Sequence, residues 1–110
     1  KSYLERTLSE LKSQGYMVQK VEHFNVYGGL GKTSSALDLL AVHPAHGIIG
    51  IQVCGEDWSS HVKKLTGERK EALILWLASG GRCTLIGWRQ LKETWTPRIR
   101  EFTLADFPEI

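Results

Sequence analysis

The chain has only two cysteines in 110 residues, Cys54 and Cys83, and they form neither a CxxC pair nor any other zinc spacing. Each lies in an apolar run, which predicts buried, reduced thiols rather than a disulfide and an intracellular, cytoplasmic setting. No apolar run approaches the ~18 residues needed to span a bilayer, so no membrane partner is expected. No secretory signal pattern is expected from the sequence as given, and no internal repeat, low-complexity tract or linker divides it. Strong charge bias is missing too. The net charge of +2 is too small to announce nucleic-acid binding by itself, so such a partner must be argued from where the basic residues cluster.

What is present is ordinary globular composition, 42% hydrophobic and 24% charged. At this length residues 1–110 form one domain, and folding buries about 60 to 70% of the extended surface. The organising stretch is residues 35 to 58, SALDLLAVHPAHGIIGIQVCGEDW, two apolar runs separated by a Pro/His/Gly turn. Asp38 stands in the first run and Gln52 in the second. A buried carboxylate without a partner or metal costs roughly several kcal/mol in lost hydration, so Asp38 requires an explanation.

Ser2 and Glu5 have capping-box spacing, and Leu4, Leu8 and Leu11 recur at helical period, predicting a first helix to about Gln14 with Gly15 as its stop. Tyr16 to Val26 mixes apolar and polar residues as a partly exposed strand does, and 28–34 (GGLGKTS) is a glycine-rich return. Residues 36–43 and 48–54 are so continuously apolar that both faces must be covered, which makes them central strands. If their hairpin is centred on Ala45, Asp38 lies opposite Gln52 on one face. A second helical stretch runs from Ser59 or Ser60 to Ser79, with Gly67 breaking or bending it and Gly80-Gly81 ending it. Arg82 to Trp88 then forms a strand parallel to 48–54 through a right-handed crossover. Thr94 to Leu104 follows as an edge strand that tolerates Pro97. The expected fold class is α/β, a mixed sheet flanked by helices in the order α-β-β-β-α-β-β.

Asp38 has two readings: a metal position, or a buried carboxylate satisfied by backbone amides or by the Gln52 amide. Glu56 and Asp57 read as an N-cap cluster for the second helix, while His43-x-x-His46 is weak as a metal pair. The run Gly28-Gly29-Leu30-Gly31-Lys32-Thr33 looks locally like a phosphate-binding loop, but Val26 stands where its first glycine belongs, and no acidic Walker-B strand follows. Lys32 reads instead as a phosphate contact at the mouth of a site, or as plain surface. Basic residues gather at Lys63, Lys64, Arg69 and Lys70, at Arg82, Arg89 and Lys92, and at Arg98 and Arg100. Trp58, Trp88 and Trp95 stand near them in sequence, as in a stacking, phosphate-binding face. Glu68, Glu71, Glu93 and Glu101 interleave, so a mixed-charge surface is an equal reading.

The order of elements, with LDLLAV, GIIGIQV, LTGERKEALILWLASGG and RCTLIGWRQL, resembles the PD-(D/E)xK nuclease superfamily over residues 2 to 92. The closer resemblance is to small VRR-NUC and Holliday-junction-resolvase-like nucleases, including phage-borne relatives. It implies a restriction-endonuclease-like core in which Asp38, Gln52 and the Val53 carbonyl hold Mg²⁺ or Mn²⁺. The partners it implies are duplex or branched DNA, bound by the chain alone or as a homodimer. Gln52 stands where the family acid belongs and Cys54 where its lysine belongs, a D...QxC motif that weakens metal binding and water activation together. Lys63 or Lys64 on the second helix would supply the displaced cation, against a solvated helix face as the other reading. Glu5 matches a third acid of many members as well as it matches a cap. The implied function is metal-dependent phosphodiester hydrolysis, weak through these replacements; the alternative is a catalytically inactive DNA-binding or assembly module of the same fold.

Overall fold

The computed structural model describes residues 2–21 and 37–108. Helix α1 (Tyr3–Ser13) opens with the Ser2 hydroxyl accepting the Glu5 N–H at 3.1 Å. Gly15 ends it with φ +89°, and the Gly15 and Tyr16 amides bond back to the carbonyls of Lys12 and Leu11, a Schellman closure that only glycine enters without strain. Strand β1 (Met17–Lys20) follows. The rest of the predicted first strand, the glycine-rich run with Lys32, and residue 36 lie outside the described residues.

Strands β2 (Leu39–His43) and β3 (Gly47–Cys54) pair antiparallel, from His43↔Gly47 to Leu39↔Ile51, so the hairpin is centred on Ala45 as its spacing predicts. A turn closed by His46 N–H to the His43 carbonyl, followed by Gly47 at φ +78°, is the three-residue connection that suits this register. The second helical stretch is two helices, α2 (Trp58–Thr66) and α3 (Lys70–Ala78), parted at Gly67. A Cβ at Gly67 would lie 2.8 Å from the Lys63 carbonyl, so the chain turns tightest where a side chain cannot fit. Strand β4 (Arg82–Leu91) returns parallel to β3 and continues past the predicted end at Trp88. It turns at Lys92-Glu93, both at positive φ, into the antiparallel edge strand β5 (Thr94–Phe102), where Pro97 sits opposite Trp88.

Among the described residues the fold is therefore α/β, with three helices and a five-stranded mixed sheet ordered β1-β2-β3-β4-β5. One face carries Leu39, Ala41, Ile49, Ile51, Ile86 and Trp88 packed with Leu11 of α1. The other carries Cys54, Cys83, Leu85 and Phe102 packed with Leu65 of α2, Leu73 of α3 and Phe107 beyond β5. Cover on both faces explains the apolar run of β3 from Ile49 to Cys54. Val42 and Ile48 are 41% and 51% exposed, so the second face of β2 and of the start of β3 is only partly covered, which corrects the expectation for them. The Trp88 indole N–H donates to the Thr7 hydroxyl at 2.8 Å, and that hydroxyl donates to the Tyr3 carbonyl at 2.8 Å, so these two buried polar side chains under α1 are matched.

Candidate functional site

Asp38 interrupts the expected cross-strand pairing. Its N–H bonds to the Ile51 carbonyl at 2.8 Å, although Ile51 is already the ladder partner of Leu39. Two residues therefore stand against one, the pattern of a β-bulge, and β2 starts at Leu39 rather than 36. The bulge replaces the direct cross-strand pairing of Asp38 with Gln52, and of the two partners considered for a buried carboxylate it is a backbone amide that meets it: the Asp38 carboxylate accepts the Val53 N–H at 2.8 Å. Burial raises the Asp38 carboxyl above the usual range. The Val53 hydrogen bond and the charges of His61 and Arg69 oppose that shift. In an extended strand a residue's N–H and C=O point to the same edge, so the Val53 carbonyl faces the Asp38 side.

Gln52 is 7% exposed, and its Oε1 is buried without a hydrogen-bond partner. Side chains two apart on a strand share a face, so Gln52 and Cys54 point the same way, toward α2. The Cys54 thiol is pushed up to about 11 by burial and by the negative charges of Asp57 and Asp38, with Arg98 opposing. Asp57 occupies the N-cap position of α2, but its side chain makes no capping bond. Its carboxylate instead accepts the Gly55 N–H at 3.3 Å and approaches His61 Nδ1 at 3.2 Å. His61 Nδ1 also lies 3.0 Å from the Asp57 carbonyl oxygen. Cys54, Asp57 and His61 bring one sulfur, one oxygen and one nitrogen within 4.8 Å of one another. Sequence alone misses this group: it reads Cys54 as a buried thiol and Asp57 as part of an N-cap cluster, and it gives His61 no role. The signal that could have found it is the spacing C-x₂-D-x₃-H across a strand end and a helix start.

Beside this group a cleft of about 290 Å³ opens at the carboxyl ends of β3 and β4, lined by Glu56, Trp58, Arg89, Gln90 and Arg98 among others. The Arg98 guanidinium lies 4.3 Å over the Trp58 ring. That ring closes on the sheet where β4 has no side chain, since a Cβ at Gly87 would stand 2.6 Å from it.

The other predicted site residues are spread out. Lys63 and Lys64 are exposed on α2, Arg69 and Lys70 are half-buried where α2 gives way to α3, and Glu5 is exposed on the first turn of α1. Arg82 is committed to Glu101 through two bonds of 2.7 and 3.0 Å, and Arg100 pairs with Asp106 at 3.3 Å. Trp88 is buried, which corrects its grouping with base-stacking tryptophans. Trp95 is half-buried between the edge of Tyr3 and the Arg6 guanidinium. His43 and His46 stack with Tyr16 at the β2–β3 hairpin, and His43 Nδ1 accepts the Ala45 N–H. No helix among the described residues is long and apolar enough to cross a membrane. The chain matches no protein-family model, no curated protein and no solved structure.

Proposed function

We propose that this domain binds duplex or branched DNA and hydrolyses its phosphodiesters weakly, with Asp38 as the surviving acid of a PD-(D/E)xK-like site. The observation that carries this reading is the Asp38 carboxylate lodged where β2 leaves the β3 ladder, 2.8 Å from the Val53 N–H. Three further features support it: antiparallel β1-β2-β3 followed by helices and a parallel β4, the orphaned Gln52 oxygen, and an arginine-lined cleft at the carboxyl ends of β3 and β4.

Asp38, the Val53 carbonyl and Gln52 Oε1 form an all-oxygen donor set with a single negative charge, suited to Mg²⁺ or Mn²⁺ that keeps most of its water and shares substrate phosphate. Such an ion, when bound, polarises the scissile phosphate and lowers the pKa of a bound water. The chain's own residues position the strand. Arg89 and Arg98 draw the phosphodiester backbone into the cleft, and the Trp58 face under Arg98 offers a stacking surface for a splayed base. Arg69, whose charge reaches Asp38, is better placed than Lys63 to offset charge developing on the phosphate.

A second reading, an inactive DNA-binding module of the same fold, is favoured by Gln52 and Cys54 standing where the acid and lysine belong. Nicking of supercoiled plasmid and of four-way junctions, with Mg²⁺ or Mn²⁺, separates the two. Metal-dependent nicking lost in Asp38→Asn supports hydrolysis. Retention of junction binding with no nicking under any metal leaves the binding module. Failure to bind either DNA overturns both.

A further inference from the structure

We propose that Cys54, Asp57 and His61 form a binding site for a thiophilic divalent transition metal, Zn²⁺ first among them, distinct from the oxygen set at Asp38. The chemistry of the three ligands is complementary. A thiolate and an imidazole select borderline-soft ions over Mg²⁺ or Ca²⁺, and one carboxylate completes a three-ligand set that leaves a fourth position open. The spacing is local, since β3 ends at Cys54, the chain turns through Gly55-Glu56, and α2 begins after Asp57 with His61 one turn further on. Little loop entropy is therefore lost on closing the site.

The geometry needs only a small contraction. At metal–ligand lengths of about 2.0 to 2.3 Å, ligands of a tetrahedral site lie about 3.3 to 3.8 Å apart. Asp57 Oδ2 and His61 Nδ1 already stand at 3.2 Å, and the widest separation in the group is below 4.8 Å. The Asp57 side chain is 59% exposed and held, among the described residues, only by the 3.3 Å bond from the Gly55 N–H and by His61, while Cys54 is held in the core at 4% and the His61 side chain at 16%. The unfilled side of the group is therefore the side toward solvent.

Binding would convert the Cys54 thiol to thiolate with its proton released to solvent. The His61 ring proton would move to Nε2, so that Nδ1 presents its lone pair.

The test is titration of the intact chain with Co²⁺ and then Zn²⁺, without DNA, so that its outcome is independent of nuclease activity. One equivalent of Co²⁺ should bind with thiolate-to-metal charge-transfer absorption and the intense visible bands of a four-coordinate ion, and Zn²⁺ should bleach both. Cys54→Ser should abolish the charge-transfer band, and Asp57→Asn, at an exposed position, should weaken binding by about tenfold or more with an unchanged circular dichroism spectrum. Cys83→Ser should leave the titration as in the parent chain. Absence of a charge-transfer band in the folded parent, its persistence in Cys54→Ser, or unchanged affinity in folded Asp57→Asn would each overturn the proposal.

Discussion

The Val53 amide donates to the Asp38 carboxylate across 2.8 Å, joining β3 to the one residue at which β2 departs from its ladder. That bond satisfies an N–H which the bulge would otherwise strand, and it holds the carboxylate in the fork between the strands. The structural role and the proposed metal role fall on one side chain, and substitution can part them.

Asp38→Ala removes the acceptor and leaves the Val53 N–H unpaired in a half-buried gap, for an expected loss of about 1 to 3 kcal/mol. Asp38→Asn keeps an oxygen acceptor and gives up the charge. It should retain most of the stability while losing any Mn²⁺-dependent nicking. Urea denaturation and plasmid nicking on the two variants check this, and equal stability of the two would show that the Val53 bond contributes nothing.

The cleft arginines should act through phosphate neutralisation. Arg89→Ala and Arg98→Ala are each expected to reduce the slope of log K against log salt by about 1 for duplex DNA. Arg82→Ala should leave the slope unchanged, because that guanidinium is committed to Glu101. Fluorescence anisotropy between low and moderate salt measures all three.

Gly87→Ala tests the seat of Trp58. The added Cβ would lie 2.6 Å from the indole ring and 3.3 Å from Cys54 Sγ. The ring must move, at a cost of about 1 to 3 kcal/mol, and its stack with Arg98 is disturbed at the same time. Chemical denaturation should show the destabilisation, and anisotropy should show weaker DNA binding. A neutral result would mean that the indole is held more loosely than its contacts imply.

The Arg82–Glu101 pair gives a pH dependence of known sign. Its hydrogen bonds hold the Glu101 carboxyl below its usual value, so the stabilisation is present above the unfolded pKa of about 4.3 and is lost as pH falls through the folded value. Both side chains are about two-fifths exposed, which keeps the contribution under about 1 kcal/mol. In Glu101→Gln, thermal melts from pH 6 to pH 3 should show a shallower fall than the parent; a parallel fall assigns the acid sensitivity to other carboxylates.

Much of the scaffold was legible because it rests on local rules. Leu4, Leu8 and Leu11 at helical period with Gly15 at the stop predict α1, and Gly67 predicts the break between α2 and α3. The unbroken apolar runs predict interior strands, though not that Val42 and Ile48 stay exposed, and the case of a loop centred on Ala45 is the one the β2–β3 register follows. The extension of β4 past Trp88 was not legible. It depends on Lys92 and Glu93 taking positive φ, which their residue types do not announce.

Among the described residues the sequence by itself determined the main elements and their order, since these follow from periodicity, caps and turn chemistry along neighbouring positions. Only the tertiary structure decided what the buried polar groups meet. A one-residue bulge at Asp38 decides between the two partners left open, Gln52 and a backbone amide, in favour of the Val53 amide, because pairing across strands depends on register to a single residue. The turn from β3 into α2 folds Cys54, Asp57 and His61 together, because a strand end and a helix start must be placed in space before their side chains can converge.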